Sequence, residues 1–156
     1  MIELDIGPDN PRAPDVAKLL KDHLLFAQEW SLLEDVDVLN VEELFAENIF
    51  FFSARRRGEL VAIGALRHLD PEHAEIKSMH TAAGARGQGC GKVMLEHLVR
   101  SARDRGYLRV SLETGLEEAF APARALYLKY GFEVCQPFGD YQAKADSVCM
   151  TLRLTF

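Results

Sequence analysis

The 156-residue sequence has little cysteine, a single tryptophan and no long apolar run. Its three cysteines, Cys90, Cys135 and Cys149, are widely spaced and form no CxxC pair. That spacing argues against a disulfide framework or a zinc site and for reduced thiols in a cytoplasm. No apolar stretch approaches the roughly 18 residues of a membrane span. The best, residues 49–52 and 60–66, are strand-sized. The opening Met1-Ile2-Glu3-Leu4-Asp5 lacks the basic region and apolar stretch of a signal peptide, so a cytoplasmic location is expected. Repeats, low-complexity tracts and linker candidates are also missing. With 48% hydrophobic and 27% charged residues, the composition is that of a soluble globular domain, and residues 1–156 are expected to form one. A chain of this length buries enough surface to fold without staples.

The net charge of −6 argues against a nucleic-acid binder, and its distribution is uneven. Residues 1–48 hold twelve acidic and three basic residues, a balance of −9, whereas residues 49–156 hold twelve and fifteen, a balance of +3. Between Arg86 and Arg109 lie six basic residues against two acidic ones. Singly these are solvated helix charges; as a cluster they can attract an anionic ligand.

Periodicity predicts a strand at 2–6 ended by Gly7-Pro8, an amphipathic helix at 13–30 with His23 on its apolar face, and a short helix at 41–47. Strands follow at 49–56 and 59–68 around an Arg57-Gly58 turn, and at 74–81 after Asp70-Pro71. Strict alternation along 74–81 would put Ile76, Ser78 and His80 on one face and Glu75, Lys77 and Met79 on the other, with His80 a packed histidine. A helix runs from the Gly-rich loop at 82–91 to about Arg105, then a strand at 108–113, a helix at 120–130 capped by Gly131, and a strand at 148–154. The pattern predicts an α/β domain with a mixed sheet.

The most informative segment is Arg86-Gly87-Gln88-Gly89-Cys90-Gly91-Lys92, between a strand and a helix. Its glycines let the backbone aim N–H groups outward at the positive end of a helix dipole, which suits a pyrophosphate. The dinucleotide pattern GxGxxG fails, finding Lys92 or Met94 where glycine is needed. The P-loop pattern fails as well, at Arg86 and Val93. The pattern Arg/Gln-x-x-Gly-x-Gly/Ala is met by Arg86, Gly89 and Gly91. About 40 residues later the chain reads Ala125-Leu126-Tyr127-Leu128-Lys129-Tyr130-Gly131-Phe132.

With these two motifs in this order, the chain from about residue 58 to 154 resembles the GNAT superfamily of acyl-CoA-dependent N-acetyltransferases. The stretches 75–79, 112–115 and 135–138 are similar to those of a bacterial subgroup of acetyltransferases. The resemblance implies an α/β GNAT fold: a central mixed, mostly antiparallel sheet flanked by helices on both faces. It also implies acetyl-CoA as cofactor and one N-acetyltransferase domain. The cofactor would lie along Met79, His80 and Thr81 and on Arg86, Gly87, Gln88, Gly89, Cys90, Gly91 and Lys92. Arg124 would reach it or be exposed.

By the same resemblance, Tyr127 would stand beside the thioester sulfur, where a phenol can act as general acid; packing alone is the competing account. The Met79 backbone N–H would face the acetyl carbonyl. The base is open. Glu75 is either the base or an ion-pair partner for a cross-strand lysine or arginine, and His73, Glu113 and a water relay are alternatives. Cys90 sits at a helix N-terminus, where thiols ionise more easily, yet no histidine motif accompanies it, and direct transfer is expected. In such enzymes the first helices wall the acceptor pocket. The acidic residues Glu29, Glu34, Asp35, Asp37, Glu42 and Glu43 there would favour a cationic small-molecule amine, while solubility alone also accounts for them. Trp30 lines that pocket or covers the core. A protein or peptide acceptor and a non-catalytic acyl-CoA sensor are the rival functions; no nucleic-acid or membrane partner is expected, and a homodimer is left open.

Overall fold

A computed structural model describes residues 3–30, 43–139, 141–143 and 147–154, the side chains of 27–30 excepted. The elements run β1 (Asp5–Pro8), α1 (Pro14–Trp30), β2 (Ile49–Arg56), β3 (Glu59–Asp70), β4 (His73–Thr81), α2 (Cys90–Asp104), β5 (Arg109–Gly115), α3 (Ala121–Tyr130), β6 (Glu133–Cys135) and β7 (Ser147–Arg153). Short 3-10 turns at Glu43–Phe45, Ala83–Ala85 and Glu118–Phe120 link them.

Among the described residues seven strands form one sheet in the order β1-β2-β3-β4-β5-β7-β6. Every neighbouring pair is antiparallel except β4–β5. The β2–β3 hairpin turns through Arg57 and Gly58, both at positive φ (53° and 83°), as a tight two-residue turn requires. A parallel pair needs a crossover, and α2 supplies it between β4 and β5.

Helices cover both faces. Val16, Leu19 and Leu20 of α1 pack on Phe51, Ile63 and Ala65. On the other face Met94, Leu95, Leu98, Val99 and Ala102 of α2 meet Ala62, Leu66, Ala74, Ile76, Val110 and Leu112. A glycine is needed where α2 crosses β3: a Cβ on Gly64 would lie 2.9 Å from Leu98 Cδ1 and 3.2 Å from Met94 Cγ. The fold is the mixed, mostly antiparallel sheet with helices on both faces that the resemblance implied.

Three local expectations are corrected. The first strand runs on through Gly7-Pro8, which is possible because β1 pairs only with β2 and leaves its outer edge free of ladder bonds. The predicted helix at 41–47 is a single 3-10 turn where it is described. The third correction bears on the site. The β3–β4 register slips between Ala65↔Lys77 and Ile63↔His80, and Ser78 takes φ 56°, so Ser78 and Met79 together oppose Gly64. This bulge reverses the alternation beyond it. Met79 joins Ile76 on the α2 face, while His80 shares the α1 face with Glu75 and Lys77.

Leu98 is fully buried at the centre of the α2 contact. Leu98→Ala is expected to lower the unfolding free energy by about 2–5 kcal/mol, read from urea denaturation; a loss under 1 kcal/mol would contradict this packing.

Candidate active site

β4 and β5 pair only from His73↔Arg109 to Glu75↔Ser111. Beyond that point β4 continues to Thr81 and β5 to Gly115 without meeting, and a cavity of about 710 Å³ opens between them. Each bank carries distinct chemistry.

At one end lies the glycine loop. Gly87 and Gly89 sit in the left-handed region at φ 77° and 84°, and Gly89 is the residue before α2 with no side chain capping the helix. The first amides of α2 therefore face outward unsatisfied by a capping side chain, at the positive end of the dipole. Thr81, Arg86, Gly87, Gly89, Gly91 and Lys92 line the cavity here. Gly91 faces Thr81 Oγ1 and Leu126 Cδ2, which an added Cβ would meet at 3.5 and 3.7 Å. This end is built for an anion of diphosphate kind. Gln88 is exposed outside the lining and donates to the Gly84 carbonyl at 3.3 Å, stapling the loop. The Cys90 thiol belongs to the apolar core.

The facing bank is α3. Tyr127 lines the cavity, its ring packed against Phe132, and burial pushes its phenol up to about 12. Arg124, one turn earlier, is outside the lining. Its Nη1 donates to the carbonyls of Gly115 (2.7 Å) and Glu117 (2.9 Å), tying the start of α3 to the end of β5.

On the α1 face, Glu75 is 1% exposed and its carboxylate is taken up by neighbours. Arg67 Nε and Nη2 donate to Oε1 at 2.9 and 2.5 Å, Tyr141 donates to Oε2, and Lys77 Nζ lies 3.7 Å from it. Glu75 thus makes an ion pair with a cross-strand arginine, Arg67. His73 is buried in a separate cluster with Ser111 (2.6 Å), Arg109 (3.2 Å) and, through Ser111, Thr151. Glu113 lines the cavity and accepts from Ser147 Oγ at 2.9 Å.

Several lining residues carried no motif: Phe26, Phe120 and Ser147 among them, with His23 marked only by its place on the apolar face of α1. His23 Nδ1 and His80 Nδ1 are 3.1 Å apart, so one ring donates to the other. Burial lowers His23 to about 3, helped by the nearby His80 and Lys77; burial and Arg86 lower His80 to about 4. The side chains of Glu29 and Trp30 and residues Glu34, Asp35, Asp37 and Glu42 lie outside the described residues; Glu43 is exposed on its 3-10 turn. Among the described residues no group of three histidine, cysteine or acidic side chains suits a metal, and no helix is long and apolar enough to cross a membrane.

A splayed parallel pair, an uncapped glycine-led helix on one bank and a buried tyrosine on the other form one ligand cleft. The family model for the acetyltransferase (GNAT) family matches residues 5–132. The chain belongs to the GNAT family. It is similar to the uncharacterized N-acetyltransferase YsnE of Bacillus subtilis (strain 168), 42% identical over 97% of this chain and 100% of the relative. An IAA acetyltransferase of Azospirillum brasilense is 32% identical over 90% of this chain and 92% of its own. Among solved structures, a GNAT family acetyltransferase from Elizabethkingia anophelis with acetyl-CoA bound superposes with a TM-score of 0.71 at 21% identity, covering 97% of this chain and 98% of that one. The protein is an acyltransferase, and acetyl-CoA is its cofactor. The acetyltransferase's uncapped α2 start and glycine loop fit the diphosphate of that cofactor.

Two outcomes follow for this GNAT protein. Gly89→Ala forces a Cβ into the left-handed region and should weaken acetyl-CoA binding about tenfold by calorimetry. Gly106→Ala, equally strained at φ 89° but at the far end of α2, should leave that affinity in place. The second concerns acid. His23 and His80 are held neutral with pKa values below their unfolded ones, so the unfolded chain binds protons that the native one refuses, and stability falls as pH drops below about 6.5. The slope in denaturation between pH 6.5 and about 4 should be shallower in His23→Gln; equal slopes would be the contrary result.

Proposed function

We propose that the enzyme transfers the acetyl group directly to the primary amine of a small molecule, with Tyr127 as general acid. The observation that carries this reading is the buried phenol on the wall of a cleft whose glycine loop suits the cofactor's phosphates. When bound, acetyl-CoA supplies an acetyl thioester that an unprotonated amine can attack.

The residues divide the work. The amides of Gly89, Cys90, Gly91 and Lys92, with Gly87, Thr81 and the Arg86 main chain, hold the phosphates. Past Glu75 the β5-facing edge of β4 has no strand partner among the described residues, and the Met79 N–H there polarises the acetyl carbonyl. Glu113 seats the ammonium of the acceptor, and its proton leaves through water. Glu75 is a positioning residue: it holds Arg67 and Lys77 in place. As the C–N bond forms and the C–S bond breaks, Tyr127 Oη gives its proton to the departing sulfur and regains one from solvent. A phenol near 12 is a reliable proton source across neutral pH. Cys90 contributes its backbone alone, since its thiol lies in the core. His80 forms part of the wall beside Arg86 Nη2 at 3.4 Å. A buried phenol placed on the cavity wall is what favours this reading over a sensor that only binds.

Tyr127→Phe should lower kcat by about 10²- to 10⁴-fold while the thermal shift given by acetyl-CoA persists. Because burial keeps the phenol protonated, the wild-type kcat profile should show no alkaline fall before about pH 10, the ordinary tyrosine value. Full activity in Tyr127→Phe would remove the phenol from the mechanism.

A further inference from the structure

We infer that the acceptor amine carries an uncharged ring, seated against a wall formed by His23, Phe26, His80 and Phe120. The inference rests on the function proposed above and names the substrate class of that same cavity.

These four side chains line the cavity on its α1 side and touch one another edge to face. Ring centroids are 5.3 Å apart for Phe26–Phe120 at 78°, 5.9 Å for Phe26–His80 at 65°, and 5.0 Å for His23–His80 at 67°. They come from three separate places: α1, the end of β4, and the 3-10 turn after β5. The turn residue is fitted closely. Phe120 lies on Gly115, where an added Cβ would stand 2.4–2.9 Å from three of its ring atoms. Only a glycine at the tip of β5 lets that ring reach the wall.

An apolar wall of this kind gains most by covering a flat apolar group, through area removed from water and edge-to-face contact. A cage for a cation is the competing use of clustered rings. The charges around the wall oppose it. The Arg86 guanidinium already lies 5.7 Å from the centroid of the Phe26 ring. Lys77 at His23 and Arg86 at His80 act against a positive charge on the imidazoles, adding to burial, and Asp22 offsets only part of this at His80. The same field would repel a second ammonium brought to this wall. Glu113, to which the proposed function assigns the reacting amine, lies on the β5 side of the cavity and also accepts from Ser147. A substrate that satisfies both regions has one amine and, a short spacer away, an uncharged ring. The acidic N-terminal third suggested a cationic amine; the lining favours one with a single charge.

The test compares kcat/KM for phenethylamine, n-butylamine and spermidine with wild-type enzyme at saturating acetyl-CoA. Phenethylamine should exceed both ringless amines by about tenfold or more. Phe26→Ala and Phe120→Leu should each reduce the phenethylamine-to-butylamine ratio several-fold, the second substitution keeping apolar bulk should the first disturb α1. A preference for butylamine or spermidine, or a ratio that neither substitution moves, would overturn the inference and leave the proposed function standing. No transfer to any of the three amines would overturn both.

Discussion

Two neighbouring strands that stop pairing after three residues govern the rest of this molecule. Had β4 and β5 stayed in register to their ends, their N–H and C=O groups would have been consumed by each other and the sheet would have been continuous. Because the ladder ends at Glu75↔Ser111, the sheet divides into two banks with a cleft between them. The α2 crossover that a parallel pair demands places its uncapped N-terminus at the mouth of that cleft, and α3 returns against the other bank. The places of the glycine loop and of Tyr127 thus become properties of where the strands part.

The buried charges around Glu75 show a second constraint. A carboxylate that is 1% exposed must be compensated, and Arg67, Lys77 and Tyr141 do so from β3, β4 and the approach to β7. The network clasps elements on both sides of the divide close to its root. It stiffens the part of the sheet from which the two banks diverge, and it makes one wall of the cavity polar while the imidazole and phenyl rings make another apolar.

The cofactor end was legible in the sequence because its chemistry is local: Arg86, Gly89, Gly91 and the helix they open are consecutive, and Tyr127 falls in a contiguous run. The facing of β4 was not legible. A left-handed residue usually announces itself as glycine or asparagine, and here the bulge sits on Ser78, so simple alternation put Met79 with Glu75. The ring wall was hidden for a different reason. His23, Phe26, His80 and Phe120 are far apart in the chain, and the bulge at Ser78 and the bare Cα of Gly115 help bring them together. Charge asymmetry was the weakest guide, since a run of carboxylates in sequence says little about which of them face a ligand.

Arg124 never reaches the cavity, yet it bridges the two carbonyls at which β5 gives way to α3. The helix carrying Tyr127 is therefore indexed to the tip of the strand, like a gauge block set against a fixed stop. Reactive geometry tolerates errors of only about an ångström. In this enzyme the span from Tyr127 to the strand edge is calibrated by a side chain that lies outside the cavity lining.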